Sequence, residues 1–243
     1  MAMNCIISFY TKNNQTELSL QSIESINFAC TRWNVNHILI TQSLQPEGFH
    51  DMFTKLYLPF KVKDYERCLY LDTDVVIKYN APNPFKIYDD ISKIYVVKDM
   101  QQNFLTDDEK EQFKNNQLCG PWYQQCKDVL KIDLSYDYFK NNFFNAGMFI
   151  FSPREHNILF QFIIDSLSSI PKEYKQVHQV EQALLNYTFM YYLKENLIHI
   201  PKQWNYIDPP VNENTMQGYI YHFTGWYYKE YKKLLPTFDL WKK

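Results

Sequence analysis

The stretch "RCLYLDTDVVI", residues 67–77, decides how the rest of the chain is read. An apolar run stops at Asp72, Thr73 and Asp74 follow, and the apolar character resumes at Val75. Continuous apolar character over a few residues is how a strand buried on both faces of a parallel sheet reads. In open α/β sheets, ligands gather outside the carboxyl ends of the strands, where Asp72 and Asp74 fall. Residues i and i+2 of an extended chain point to one side, so the two carboxylates are expected to repel unless a cation sits between them. A hard divalent ion with open positions can also hold phosphate or diphosphate oxygens. Three readings fit the D-x-D alone. It is a solvated turn between two strands, or a haloacid-dehalogenase-like phosphatase motif with Asp72 as nucleophile and Asp74 as acid/base. The third reading is a metal-dependent glycosyltransferase that binds a nucleotide-sugar diphosphate through the metal.

Working outward, "NCIISFYT" (4–11), "HILIT" (37–41), "KIYVVK" (93–98) and "FFNAGMFIF" (143–151) read as further strands, and "VVIKY" as a short one. Between the first two, Asn14 with Glu17 reads as a capping box, and Leu20, Ile23, Ile26, Cys30 and Trp33 recur at helical spacing. Strand, helix and strand in this order make a βαβ unit. Thr106 with Glu109 marks a second helix start, and Ser152-Pro153-Arg154-Glu155 a third. After the third, Ile158, Leu159, Phe162, Ile163 and Leu167 form a predicted apolar stripe, and residues 180–193 a further helix. The expected fold is α/β, with a mixed, mostly parallel Rossmann-like sheet and helices on both faces. Residues 101–142 carry the weakest pattern and are expected to lie outside the core sheet.

With 243 residues the chain can bury one sizeable core, so a single domain over 1–243 is the simplest expectation. A formal charge of −2 gives no electrostatic reason to expect a nucleic-acid partner or an anionic membrane surface. No apolar run approaches bilayer-spanning length, and the start lacks a basic n-region and a cleavage site. The five cysteines, Cys5, Cys30, Cys68, Cys119 and Cys126, fit no zinc spacing and read as reduced thiols in a cytoplasmic setting.

Segments beyond the D-x-D strand then narrow the readings. They are "FYT" ending the first strand, "TKLYLPF" (54–60), "YLDTDVVI", "FFNAGMFIFSP", "VEQALLN" (180–186) and "HFTG" (222–225). In this order the chain resembles a family 8 glycosyltransferase of the glycogenin-like and bacterial galactosyltransferase-like type, which has the GT-A fold. The resemblance runs from Phe9 to Gly225, nearly the whole chain.

The resemblance implies that Asp72, Asp74 and His222 hold Mn²⁺, with Mg²⁺ acceptable, and that a UDP-sugar is the donor. Carboxylates, phosphate oxygens and one imidazole suit such an ion. It implies nucleotide-sugar contacts from Phe9, Tyr10, Thr11, Lys55, Asp72, Thr73, Asp74, Asn145, Ala146, Gly147, Gln182, His222, Gly225 and Lys229. Gln182, Glu181 and Lys55 form the implied catalytic set. The implied reaction is transfer of a hexose, glucose or galactose, to a hydroxyl of a glycan or protein acceptor, with retention at the anomeric carbon. The departing phosphate, rather than a side-chain base, then takes the acceptor proton. Relatives of this kind are often homodimers. The sequence departs from the family pattern twice. Glu181 stands where Asp is usual, and "KPW" after the last motif is absent, leaving Lys229 one residue late. A catalytically inactive nucleotide-sugar or glycan-binding relative is the competing reading.

Overall fold

The strands are built from side chains that alternate between two cores. On β1 (Asn4–Phe9), Cys5, Ile7 and Phe9 enter one apolar cluster and Ile6 enters another. On β3 (Arg67–Leu71), Cys68 and Tyr70 face the first cluster, Leu69 and Leu71 the second. This is the period-two pleat of a sheet covered on both sides, and it explains why these strands read as unbroken apolar runs. The computed structural model describes residues 3–11, 16–99, 108, 119–177, 179–207 and 218–224.

The remaining strands are β2 (Asn36–Ile40), β4 (Val75–Ile77), β5 (Ile94–Lys98), β6 (Phe144–Phe151), β7 (Leu197–His199) and β8 (Ile220–His222). Six form a sheet in the order β2-β1-β3-β6-β5-β7, while β4 and β8 pair separately. The β1–β2, β1–β3 and β5–β7 pairs are parallel. β6 runs antiparallel to both neighbours, β3 and β5. That reversal places the amino end of β6, with Asn145 and Gly147, beside the carboxyl end of β3. The Asp72 N–H donates to Gly147 O at 2.9 Å.

Six α-helices lie among the described residues: α1 (Glu17–Trp33), α2 (Leu58–Lys61), α3 (Gly120–Leu130), α4 (Tyr136–Asn142), α5 (Pro153–Ser166) and α6 (Val180–Tyr192). α1 covers the second cluster; α3, α5 and α6 contribute to the first. Phe160 of α5 packs near Phe149, Phe151 and Phe189, with ring centroids 5.5–6.2 Å apart. Fully burying one such ring is worth about 1.5–3 kcal/mol, so this aromatic group ties α5 and α6 firmly to β6.

Several expectations are revised. α1 is capped by Thr16 with Ser19, whose side chains and backbones satisfy one another reciprocally; Asn14 lies outside the described residues. Its buried face carries Ser19, Ser22 and Ser25 with Ile26, Ala29, Cys30 and Trp33, while Leu20 is 60% exposed. Small side chains allow close approach to β4, where Ser25 Oγ accepts from the Ile77 N–H at 3.2 Å. Periodicity weighted by hydrophobicity misses a face built on serines. On α5, Ile158 is 74% exposed and His156 is buried in its place. His156 Nδ1 accepts from the Ser152 N–H at 3.0 Å, closing the start of the helix. The described residues of the weakly patterned 101–142 region add no strand to the sheet, as expected; α3 and α4 within it pack onto the first core. The Thr106–Glu109 start lies outside the described residues.

Candidate active site

Asp72 and Asp74 occupy the link between β3 and β4. Residues 73–74 form a turn, so simple strand alternation is not what brings the two carboxylates together. Thr73 holds the turn by donating from Oγ1 to Phe9 O at 3.2 Å, fastening it to the end of β1. β8 supplies the third member. Its register pairs Val75 with His222, and the Phe223 N–H donates to Asp74 O at 2.9 Å. The imidazole therefore arrives at the D-x-D through backbone pairing.

One ligand atom each from Asp72, Asp74 and His222 lies within 4.8 Å of the others. His222 Nε2 is 3.1 Å from Asp74 Oδ1, yet that buried oxygen has no well-aligned hydrogen bond. Burial pushes the His222 pKa down, but Asp74 and Asp72 outweigh it and hold the imidazole above its ordinary value. A cation is favoured where two acids draw a proton onto a buried ring. Gly147 shapes the floor. A Cβ built there would meet His222 Cε1 at 2.1 Å, and both Asn145 Oδ1 and Asp72 Oδ2 at 2.9 Å. Two carboxylates and an imidazole around this cradle fit a divalent ion of the Mn²⁺ or Mg²⁺ kind.

Beside the cluster is a buried charge network. Lys55 is 2% exposed, with Nζ 3.4 Å from Asp72 Oδ1 and 3.6 Å from Glu181 Oε1. It also lies 5.1 Å from the Tyr70 ring centre, and the Tyr70 hydroxyl donates to Asp72 Oδ1. Burial alone would lower the Lys55 pKa; Asp72 and Glu181 reverse that and keep the ammonium charged. Glu181 is different. Burial pushes its carboxyl from 4.5 to about 7, with Lys55 opposing and Asp72 adding to the rise. Its Oε2 is buried with no hydrogen-bond partner among the described residues.

The start of α6 is clamped to the start of β6. Gln182 Oε1 accepts from the Ala146 N–H at 3.0 Å. One turn on, Asn186 Oδ1 accepts from the Phe144 N–H at 2.7 Å, while its Nδ2 donates to Phe144 O and Gln182 O, both at 2.9 Å. Asn145 Oδ1 accepts from the Gly147 N–H. With their oxygens engaged, the Asn145 and Gln182 amides have N–H groups as the remaining polar ends. Phe9 ends β1 beside the D-x-D turn and Tyr10 and Thr11 follow it; the buried Thr11 hydroxyl has no partner among the described residues. Gly225 and Lys229 lie outside the described residues. Sequence reasoning missed Asn205, whose side chain joins Asn145 to His222. It lies between Trp204 and Tyr206, and nothing in its local pattern marks it.

The glycosyl transferase family 8 model matches residues 6–229. The chain belongs to glycosyltransferase family 8. Solved structures share its fold. The chain is 12% identical to a glycosyltransferase involved in glycosylation of the major capsid of PBCV-1, covering 97% of this chain and 99% of that one at TM-score 0.58. It is likewise 12% identical to the galactosyltransferase LgtC, solved with donor and acceptor sugar analogues, covering 97% and 96% at TM-score 0.56. Mouse xyloside xylosyltransferase 1 matches at 12% identity, 93% and 99% coverage and TM-score 0.53. No curated protein matches by sequence. The six-stranded mixed sheet of this family 8 member is accordingly the GT-A fold, and the chain is a glycosyltransferase.

Proposed function

We propose that the chain is a UDP-sugar-dependent, retaining hexosyltransferase that moves glucose or galactose to an acceptor hydroxyl of a glycan or protein. The observation that carries this is the convergence of Asp72, Asp74 and His222 with the buried Lys55 ammonium in a family 8 chain. The hard step is departure of UDP, on which negative charge grows. Asp72, Asp74 and His222 would hold Mn²⁺, with Mg²⁺ accepted by the same donor set. When bound, that cation supplies Lewis-acid neutralisation of the leaving diphosphate.

The chain's own groups do the rest. Lys55 provides fixed positive charge beside Asp72 in a dry site, where such charge acts strongly. Thr11, Phe9 and Tyr10 offer a hydroxyl and apolar surface to the nucleoside. Asn145 and Gln182 present amide N–H groups to sugar hydroxyls, and Glu181, titrating near neutrality, can donate or accept there. Among the described residues none is assigned as a dedicated base for the acceptor, and the departing phosphate is the proposed acceptor of the hydroxyl proton. Five free, buried cysteines are consistent with a reducing, cytoplasmic setting. No helix among the described residues is long and apolar enough to cross a membrane. One domain over 1–243 and a homodimer complete the proposal.

Family membership favours this reading over a phosphatase. Asp72 Oδ1 is also engaged by Lys55 and the Tyr70 hydroxyl, which lowers its value as a nucleophile. UDP-sugar hydrolysis with and without Mn²⁺, in wild type and Asp74→Ala, tests the proposal. Metal-dependent turnover in the wild type and its loss in the variant is expected; equal turnover in both removes Asp74 from the mechanism. An inactive relative is recognised by UDP binding without turnover on any donor.

A further inference from the structure

We infer that Asn205 is a positioning residue: it holds the neutral His222 ring as the Nδ1–H tautomer, leaving the Nε2 lone pair toward Asp72 and Asp74. The inference rests on the metal site proposed above and adds a residue to it.

The direction of the hydrogen bonds follows from one fixed donor. The Gly147 backbone N–H donates to Asn145 at 2.9 Å, so the Asn145 atom that receives it is Oδ1. A second buried contact reaches the same oxygen from Asn205 at 3.0 Å, and a donor there must be Asn205 Nδ2. The other end of the Asn205 amide is then Oδ1, an acceptor. It lies 3.0 Å from His222 Nδ1, which must carry the hydrogen. Amide and imidazole orientations are ordinarily ambiguous; a backbone N–H at the head of the chain removes the ambiguity. Flipping Asn205 would set two acceptor oxygens 3.0 Å apart in a site where all three side chains are buried.

Asn205 is itself held firmly. It follows the 3₁₀ turn Lys202–Trp204, and its N–H donates to Lys202 O at 3.1 Å. Trp204 packs against Tyr88 and Tyr219, with ring centroids 5.5 and 5.0 Å away. Tyr206 then hydrogen-bonds to β8 on both sides, its N–H to Ile220 O at 2.8 Å and its carbonyl from the His222 N–H at 3.0 Å. The backbone that carries Asn205 is thus fastened to the strand that carries His222. A metal-binding histidine is commonly oriented through its other ring nitrogen, and loss of that partner typically weakens metal binding 10–100-fold.

Two measurements test this. In wild-type protein without metal, ¹⁵N–¹H correlation spectra at alkaline pH should show His222 protonated on Nδ1; an Nε2–H ring overturns the inference. Mn²⁺ titration followed by electron paramagnetic resonance, alongside urea unfolding, is then compared across Asn205→Ala and Asn205→Asp. The aspartate can still accept from Nδ1–H but sets a negative oxygen against Asn145 Oδ1. It should therefore lose stability yet bind Mn²⁺ close to the wild-type affinity, while the alanine variant binds 10–100-fold more weakly. Affinity that simply follows stability across the three proteins overturns the positioning role. Absence of Mn²⁺ binding to the wild type overturns the metal site instead, and the tautomer spectrum alone then decides the role of Asn205.

Discussion

Adding one methyl group at Gly147 should disable the site while leaving the fold standing. The new Cβ would lie 2.1 Å from His222 Cε1. Carbon atoms rest at roughly 3.5–4.0 Å, so the ring or the strand must give by about 1.5 Å. On the β3 side Gly147 is held through its carbonyl, which accepts from the Asp72 N–H at 2.9 Å, while the β5–β6 register shifts across this stretch, between the Val96–Phe149 and Lys98–Phe144 pairs. The imidazole is the softer body, but its own strand is tied to Tyr206 and Asp74. Overpacking of this kind typically costs about 1–3 kcal/mol, and in a chain of this length each kcal/mol lowers Tm by about 2–4 °C. The Gly147→Ala protein should therefore melt a few degrees lower and keep its far-UV circular dichroism. Displacing the ring by more than an ångström removes one of three ligands, a larger insult than losing an outer-shell partner at 10–100-fold. Mn²⁺ affinity, read by electron paramagnetic resonance, should fall by about 100-fold or more, and UDP-sugar turnover with it. A folded Gly147→Ala protein with wild-type Mn²⁺ affinity would refute the steric argument.

Other positions give independent tests. Asn186→Ala should destabilise by about 2–4 kcal/mol in urea unfolding, because it strands the buried N–H and C=O of Phe144; a change under 1 kcal/mol, roughly, would mean that water or a shifted helix replaces the clamp. Lys55→Met should cost about 3–5 kcal/mol, since two acids lose their shared cation in a buried site, and unchanged stability would deny the network its charged state. Glu181 binds its proton more tightly folded, at about 7, than unfolded, at 4.5. Its contribution is thus fully present below pH 4.5 and lost as pH rises through about 7. At about 1.4 kcal/mol per pH unit this bounds the loss near 3 kcal/mol. Glu181→Gln should flatten that part of the stability profile, and a slope identical to wild type would show that Glu181 is ionised throughout.

The strand and its acids were legible because a doubly covered strand must be apolar until it reaches the rim, and Asp72 marks the rim. The order of FYT, D-x-D, FNAG, EQ-x-x-LN and H-x-x-G pointed to the family, and Phe9, Asp72, the start of β6, the start of α6 and His222 sit where the topology brings strand or helix ends to one edge. What could not be read was orientation. The serine face of α1 depends on how closely a helix can approach β4. The helices α3 and α4 sit in a polar stretch whose apolar residues, such as Phe139 and Cys126, become meaningful only once α6 is beside them. Asn205 was invisible for a related reason. Its role arises from the pairing of Tyr206 with β8, a contact between segments that no local pattern encodes.

A crystal grown with Mn²⁺ and UDP, measured for anomalous scattering at the manganese edge, addresses the central claim most directly. A single strong peak should appear bonded to Asp72, Asp74 and His222, with the diphosphate on its open side and Lys55 close by. A peak elsewhere, or nucleotide bound with those three side chains turned away from it, would contradict the account.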